Sequence, residues 1–152
     1  MQLRTVRTIV YLAAGIGVVL SIFSGLETVF SGLTAACSFN GFFSCAAVAH
    51  SGYTTFLYLP DWLWGLGGFI VIIGVAAMAE RYPFDPRWAY ALLALTLLAA
   101  GFSLYFLYVE LALIGALCVI CTSSYVMGFI CLAGSIRIAQ STHEKDPTDT
   151  DE

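Results

Sequence analysis

The stretch LALIGALCVICTSSYVMGFICLAGSI, residues 111–136, contains no Asp, Glu, Lys or Arg and is long enough to cross a bilayer as a helix. Three further charge-free runs precede it, at Thr8–Leu26, Trp62–Ala79 and Trp88–Val109. Of the 152 residues, 60% are hydrophobic and only 11% are charged. A soluble domain of this size could not bury so much apolar surface, so the chain is an integral membrane protein.

The four runs predict four transmembrane helices, because backbone groups in hydrocarbon must pair within the chain. We therefore predict an all-α membrane protein, a four-helix bundle with spans near residues 8–26, 62–79, 88–109 and 113–136. One domain would cover residues 1–140, with a long non-cytoplasmic loop at residues 27–61. The acidic tail, residues 141–152, is expected to be disordered and cytoplasmic.

The basic residues give an orientation. In a four-span topology all six lie on one side of the membrane: Arg4, Arg7, Arg81, Arg87, Arg137 and Lys145. The positive-inside rule makes that side cytoplasmic and puts both termini inside. Two alternatives stay open. The charge-free residues 28–60 could add a fifth span, which would move Arg81 and Arg87 outside, and the first run could be a cleaved secretory signal.

Four of the five cysteines form two pairs on the non-cytoplasmic side. Cys37 and Cys45 lie in the loop, and Cys118 and Cys121 form a C-x-x-C motif in the fourth span. The predicted span places Cys118 about seven residues below its start, or ~10 Å at about 1.5 Å per residue. A helix N-terminus favours a thiolate, and thiolates exchange with disulfides that persist in an oxidising compartment. The two pairs suggest a relay that passes electrons to an apolar carrier in the bilayer.

The residues around the cysteines resemble the vitamin K epoxide reductase family, in its prokaryotic form without a fused thioredoxin-like domain. The matching residues are Cys37, Ser44, Cys45, Val48, Ser51, Tyr53, Pro60, Gly65 and the segment Cys118–Tyr125. The resemblance extends from Arg7 to about Ile136. It implies a bundle of four helices with both thiol pairs at the outer face.

The resemblance also implies roles for individual residues. Cys118 and Cys121 would be the active-site pair beside the quinone, with Cys121 the residue that attacks it. Cys37 and Cys45 would relay electrons from a partner thiol. Tyr125 would donate a hydrogen bond to a quinone carbonyl, and Ser51 would support the loop.

Two positions depart from the family pattern. Asp61 falls where the vertebrate enzyme has a pocket asparagine, and a carboxyl group can donate to a quinone oxygen only when it is protonated. Asp61 is therefore either a substrate-binding residue or a carboxylate at the membrane interface. Tyr58 stands where many prokaryotic members have glycine.

The function implied by the resemblance is that of an enzyme, a membrane thiol:quinone oxidoreductase that supports disulfide formation in exported proteins. Its substrates would be a thioredoxin-like thiol protein, expected as a separate polypeptide outside the membrane, and a quinone of the menaquinone, ubiquinone or vitamin K type. Animal relatives reduce vitamin K quinone and epoxide, so coumarin-type inhibitors could bind. Neither a metal nor a nucleic acid is expected.

Other functions stay open. An analogue of the bacterial disulfide-forming protein B would also use four helices, two thiol pairs and a quinone, but that protein carries its C-x-x-C in the first outer loop. Four thiols could bind zinc, although the spacing of Cys37 and Cys45 suits a zinc site poorly. Inert structural disulfides, or a non-catalytic membrane scaffold, would predict no redox turnover.

The remaining candidates receive simpler predictions. Cys131 is expected to pack inside the bundle, and Glu110 to lie in water at the turn between the third and fourth spans. His50 is expected to be an interfacial polar residue. Trp62 and Trp64 either anchor the second span at the interface or line a pocket near the cysteines.

Overall fold

The computed structural model describes residues 2–30, 38, 40–49, 51–53 and 55–143. Its long helices are α1 (Leu3–Val29), α3 (Asp61–Arg81), α4 (Pro86–Tyr108) and α5 (Val119–His143). A short helix, α2 (Cys45–Ala49), lies in the loop between α1 and α3, which we call the outer loop after its predicted side of the membrane, and a π-helix (Val109–Ile114) extends α4. Strands β1 (Thr55–Phe56) and β2 (Leu59–Pro60) pair antiparallel just before α3.

The four long helices form a closed bundle. Helices α1 and α4 each pack against both α3 and α5. Their shared core contains Val10, Ala14, Ile72, Leu92 and Cys131. Apolar side chains also cover the outside of the bundle, as expected for a surface in contact with lipid: Leu12, Val19 and Leu98 are 61%, 65% and 59% exposed. The described residues contain four helices long and apolar enough to cross a membrane, which confirms the predicted all-α four-helix bundle.

The predicted boundary between the third and fourth spans is wrong. Residues 109–114 do not begin the fourth span but continue α4 as a π-helix, which Gly115 ends in the left-handed conformation at φ 69°. Helix α5 then begins at Val119 rather than near residue 113. Because residues 111–136 are uniformly apolar, their composition could not locate this turn. Cys118 consequently stands immediately before α5 and not ~10 Å along it.

Position 58, where this chain has tyrosine, lies in the turn between β1 and β2. Leu57 and Tyr58 both have positive φ, at 51° and 66°. Two successive left-handed residues form the hairpin turn that matches the twist of the strands. Glycine adopts this conformation without strain, whereas in tyrosine the Cβ atom makes the left-handed conformation less favourable. The departure at Tyr58 therefore affects the backbone of a turn in which the Tyr58 side chain is fully exposed.

Candidate functional site

A backbone bridge holds the outer loop against the residues that precede α5. The Leu117 N–H donates to the Phe42 carbonyl at 2.7 Å, and the Ser44 N–H donates to the Leu117 carbonyl at 3.2 Å. These bonds form a parallel bridge between Phe43 and Leu117. The Asn40 side chain tightens the loop by accepting the N–H groups of Phe42 and Phe43 at 3.1 and 2.9 Å. The bridge thereby brings together the two cysteines that follow it in each segment.

The two cysteines are Cys45 and Cys118, whose sulfur atoms lie 3.6 Å apart. Both side chains are buried. Cys45 is in a disulfide, while Cys118 and Cys121 are free thiols. The predicted partner, Cys37, lies outside the described residues. Since a disulfide bond is about 2.05 Å long, a small movement would join the sulfur atoms of Cys45 and Cys118. The arrangement suits direct thiol–disulfide exchange.

Both cysteines occupy the starts of helices. The Cys118 sulfur accepts the Cys121 N–H at 3.2 Å, and the Cys118 carbonyl accepts the Thr122 N–H at 2.9 Å, so Cys118 caps α5. Cys45 is the first residue of α2, which Ser44 caps by accepting the Ala47 N–H at 3.2 Å. The free N–H groups of a helix start stabilise negative charge. The Cys118 sulfur therefore lies against a backbone N–H group at the start of α5.

Glu110 holds this site together, and its sequence-based prediction as a turn residue in water is wrong. Its side chain is only 2% exposed, because α4 continues past it as a π-helix and α5 packs beside it. One carboxyl oxygen, Oε1, accepts the Tyr125 hydroxyl at 2.8 Å, and Oε2 accepts the Cys118 N–H at 3.1 Å. The sequence does contain an indication that Glu110 has a role, since it is the only charged residue in 88–136. An ionisable group inside a membrane span is a functional candidate by default.

A cavity of about 500 Å³ opens beside Cys121 between the outer halves of the helices. Cys121, Asp61 and Tyr125 lie on its wall together with Trp62 and Trp64. The Trp64 ring stacks on Phe102 with 6.3 Å between centroids. A large apolar pocket with a few polar groups is typical of a small-molecule site. The structure thus brings three residues implied by the family resemblance onto one wall, and it assigns both tryptophans to the pocket lining.

A smaller cavity of about 40 Å³ is lined by Cys45, Cys118 and Cys121 together with Glu27 and Asp61. Asp61 and Cys121 therefore border both cavities. Glu27 is 4% exposed, and its Oε1 atom has no hydrogen-bond partner in the described part of the chain. Sequence reasoning gave Glu27 no role. The sequence indicates a role for Glu27 in the same way as for Glu110, because Glu27 is the only charged residue in 8–60.

Two other candidates lie away from the sulfur atoms. The Ser51 hydroxyl donates to the Val48 carbonyl at 2.8 Å and accepts the Tyr53 N–H at 3.4 Å, so it stabilises the end of α2. Cys131 lies fully buried in the bundle core, as predicted, with its sulfur 3.8 Å from the Val10 carbonyl. His50 lies outside the described residues.

The described residues contain no group of three or more His, Cys, Asp or Glu side chains that could hold a metal ion. The groups that the structure brings together at the site are thiols, carboxyl groups and a phenol. Two adjacent thiol pairs can exchange a disulfide, and the cavity can hold a flat apolar acceptor against Cys121.

Comparison with known proteins agrees with this arrangement. The model of the vitamin K epoxide reductase family matches residues 8–136. The match covers the large cavity, the bridge to the outer loop and both cysteine pairs. The chain therefore belongs to the vitamin K epoxide reductase family of membrane thiol:quinone oxidoreductases.

Proposed function

We propose that this protein oxidises the dithiol of a thioredoxin-like protein and passes the electrons to a quinone in the membrane. The observation that carries the proposal is the 3.6 Å separation of the Cys45 and Cys118 sulfur atoms. Cys121, one turn after Cys118, lies on the wall of the large cavity. One continuous site therefore joins a disulfide in the outer loop to a pocket for an apolar acceptor.

The transfer would proceed by successive thiol–disulfide exchanges. A thiolate of the partner attacks the Cys37–Cys45 disulfide, and the partner leaves with its own disulfide formed. The freed Cys45 thiolate attacks Cys118 in an oxidised Cys118–Cys121 pair and releases Cys121 as a thiolate. Cys37 then attacks Cys45 and releases Cys118. The observed state, with Cys45 in a disulfide and Cys118 and Cys121 as free thiols, corresponds to the product of these steps.

The quinone would then take an electron pair from the reduced Cys118 and Cys121 while their disulfide re-forms. Cys121 would contact the quinone ring, and Tyr125 and Asp61 would face its oxygens from the cavity wall. The stacked pair of Trp64 and Phe102 offers a flat apolar surface of the kind that suits a quinone ring. Vitamin K is one quinone of this class.

The orientation proposed for the protein follows from its charges. In each of the four long helices, an arginine lies toward the end that is remote from Cys45 and Cys118. These arginines are Arg4, Arg81, Arg87 and Arg137. The positive-inside rule makes that end of the bundle cytoplasmic. The sulfur pairs then face the compartment in which disulfides form.

Quinone reduction by the purified protein tests this function. Detergent-solubilised protein, supplied with dithiothreitol and a soluble quinone, should reduce the quinone, and Cys121→Ala should abolish the protein-dependent rate. Cys131→Ala is the matched control, because Cys131 is buried in the bundle core away from the large cavity. A wild-type protein without thiol-dependent quinone reduction, or a Cys121→Ala protein with undiminished activity, would contradict the proposal.

Trapping identifies the donor. In Cys45→Ala, the unpaired Cys37 thiolate can attack the disulfide of the oxidised donor, which gives a mixed disulfide and a released donor thiol; prompt alkylation of that thiol prevents the reverse exchange and traps the mixed disulfide. Non-reducing electrophoresis and mass spectrometry of the membrane fraction would reveal its composition. A trapped protein without a thioredoxin-like dithiol site would refute the proposed partner class.

A further inference from the structure

The hydrogen bonds of Glu110 raise a question about how a quinone receives its protons. The Tyr125 hydroxyl has a single proton, and it donates that proton to Glu110 Oε1 at 2.8 Å. Tyr125 also lies on the wall of the large cavity, where the quinone would bind. While Glu110 is an acceptor-only carboxylate, Tyr125 has no proton left for a quinone oxygen. The bond must therefore reverse before Tyr125 can act as a donor.

We propose that Glu110 is the proton source behind Tyr125, so that the two residues form a relay to the quinone. In the protonated state the Glu110 carboxyl donates to the Tyr125 oxygen, and the Tyr125 hydroxyl turns to the quinone oxygen. Both protons then move in the same step. Tyr125 touches the substrate, and Glu110 acts through it. The inference rests on the proposed quinone reductase function and adds to it the origin of one proton.

The other oxygen of Glu110 connects the relay to the redox-active thiols. Glu110 Oε2 accepts the Cys118 N–H at 3.1 Å, and the Cys118 sulfur accepts the Cys121 N–H at 3.2 Å. Cys118, whose thiol must lose its proton when the disulfide re-forms, is thus hydrogen-bonded through its backbone N–H to the carboxyl group that must regain a proton. The carboxyl is 2% exposed, so bulk water has little access to it.

The reaction balances for one quinone and two thiols. The sulfur atoms of Cys118 and Cys121 form a bond and give up an electron pair, which reduces the quinone. One quinone oxygen takes the Tyr125 proton, Tyr125 takes the Glu110 proton, and Glu110 is restored by the proton that Cys118 loses. The other quinone oxygen takes the proton of the Cys121 thiol. The sum is a quinol and a disulfide, with no further donor.

The groups that face Glu110 come from each neighbouring element. Tyr125 lies on α5, Cys118 and Cys121 lie at its start, and Asp61 begins α3. No Lys, Arg or His occurs in residues 88–136. The titratable groups named here are thus acids, thiols and a phenol, and no cation from residues 88–136 opposes a proton on Glu110.

Single-turnover oxidation of the pre-reduced protein by a soluble quinone tests the relay. Glu110→Gln keeps a side chain of the same shape that can still accept a hydrogen bond, but an amide cannot pass on a proton. We expect Glu110→Gln and Tyr125→Phe each to slow this step about 100-fold, a typical loss for general acid catalysis. In Glu110→Gln, the quinone concentration that gives half of the maximal rate should change little. The double variant should be no slower than either single variant, because both changes break the same chain.

Two readouts separate a relay from a structural role. Reduction of the Cys118–Cys121 disulfide by dithiothreitol should keep its wild-type rate in Glu110→Gln. The matched control is Glu80→Gln, because Glu80 accepts the Tyr11 hydroxyl at 3.1 Å at the opposite end of the bundle and should not affect the quinone step. A Glu110→Gln rate within about twofold of wild type would overturn the relay, as would multiplying losses in the double variant.

A measurement on the unmodified protein keeps the test valid if Glu110→Gln fails to fold. In mixtures of H₂O and D₂O, two protons moving in one step give a curved dependence of the rate on the deuterium fraction. A linear dependence would mean a single moving proton and would overturn the relay. A wild-type protein that shows no thiol-dependent quinone reduction would instead refute the proposed function, so the two failures are distinguishable.

Discussion

Cys118 and Cys131 are both free, buried cysteines of the same chain, 2% and 0% exposed, yet they lie in different surroundings. Cys131 lies in the middle of α5 in the bundle core, where apolar side chains surround it and its sulfur lies 3.8 Å from the Val10 carbonyl. Cys118 stands at the start of α5, where its sulfur accepts an N–H group and meets the Cys45 sulfur. Burial therefore does not separate the two thiols. Cys118 differs from Cys131 in standing at the start of a helix with a second sulfur 3.6 Å away, which is why we propose Cys118 as the reactive one.

A cross-linking experiment tests the difference between Cys118 and Cys131 most directly. In Cys37→Ser/Cys121→Ser the remaining cysteines are Cys45, Cys118 and Cys131. Mild oxidation should join Cys45 to Cys118 almost completely, because their sulfur atoms already lie 3.6 Å apart. Mass spectrometry of unreduced peptides would identify the bond.

The control for this experiment removes Cys118 as well, leaving Cys45 and Cys131 as the remaining cysteines. That protein should keep both thiols free under the same oxidation, because Cys131 is enclosed in the bundle core. Equal cross-linking of Cys45 to Cys118 and to Cys131 would show that the outer loop does not hold Cys45 as the bridge to Leu117 indicates.

The two buried glutamates at the outer end predict opposite effects on stability. Glu110→Leu leaves the Cys118 N–H and the Tyr125 hydroxyl without their acceptor, and we expect a loss of about 2–5 kcal/mol in the free energy of unfolding. Glu27→Leu removes a carboxyl whose Oε1 has no partner in the described structure, so stability should be unchanged or higher. Unfolding of both variants in mild detergent, monitored by circular dichroism, checks the difference. Equal losses would show that Glu27 is also satisfied by a hydrogen bond.

The outcome for these glutamates shows what the sequence could predict and where it failed. Lipid excludes charges so strongly that charge-free runs indicated the four spans. The two cysteine pairs could be read from the sequence, and the resemblance to the family pointed to Tyr125. The exact turn before α5 was not recognisable, since Gly115 is one of 14 glycines and only the folded backbone shows which of them adopts positive φ. Without that turn, Glu110 could not be placed beside Cys118 and Tyr125.

Alanine substitutions at two glycines in helix contacts should separate an effect on the large cavity from an effect on the bundle core. A Cβ atom at Gly25 would lie 2.8 Å from the Trp62 ring, which lines the large cavity, whereas one at Gly134 would overlap the Val10 side chain in the bundle core. Gly134→Ala should cost about 1–3 kcal/mol of stability with little effect on quinone KM. Gly25→Ala should raise quinone KM by displacing Trp62. Detergent unfolding and steady-state quinone kinetics on both variants measure the two effects, and an unchanged KM in Gly25→Ala would place the quinone away from Trp62.

The smallest effect is expected from the polar pair in the middle of the bundle. The hydroxyl groups of Thr96 and Ser135 lie 2.7 Å apart, fully buried between α4 and α5. Each hydroxyl also lies near a carbonyl of its own helix, Thr96 at 3.0 Å from Leu92 and Ser135 at 2.8 Å from Leu132. When the partner hydroxyl is removed, these carbonyls still accept a hydrogen bond from the hydroxyl that remains. Neither single variant therefore leaves a hydroxyl without an acceptor.

A double-mutant cycle with Thr96→Val and Ser135→Ala should therefore give a coupling near 0.6 kcal/mol, about the average for hydrogen bonds between membrane helices. Quinone reduction should be unaffected in all three proteins, since neither residue belongs to the lining of the large cavity. If these changes slowed quinone reduction without lowering stability, the bundle core would be energetically coupled to the outer site. The contrast between Cys118 and Cys131 would then no longer follow from local surroundings alone.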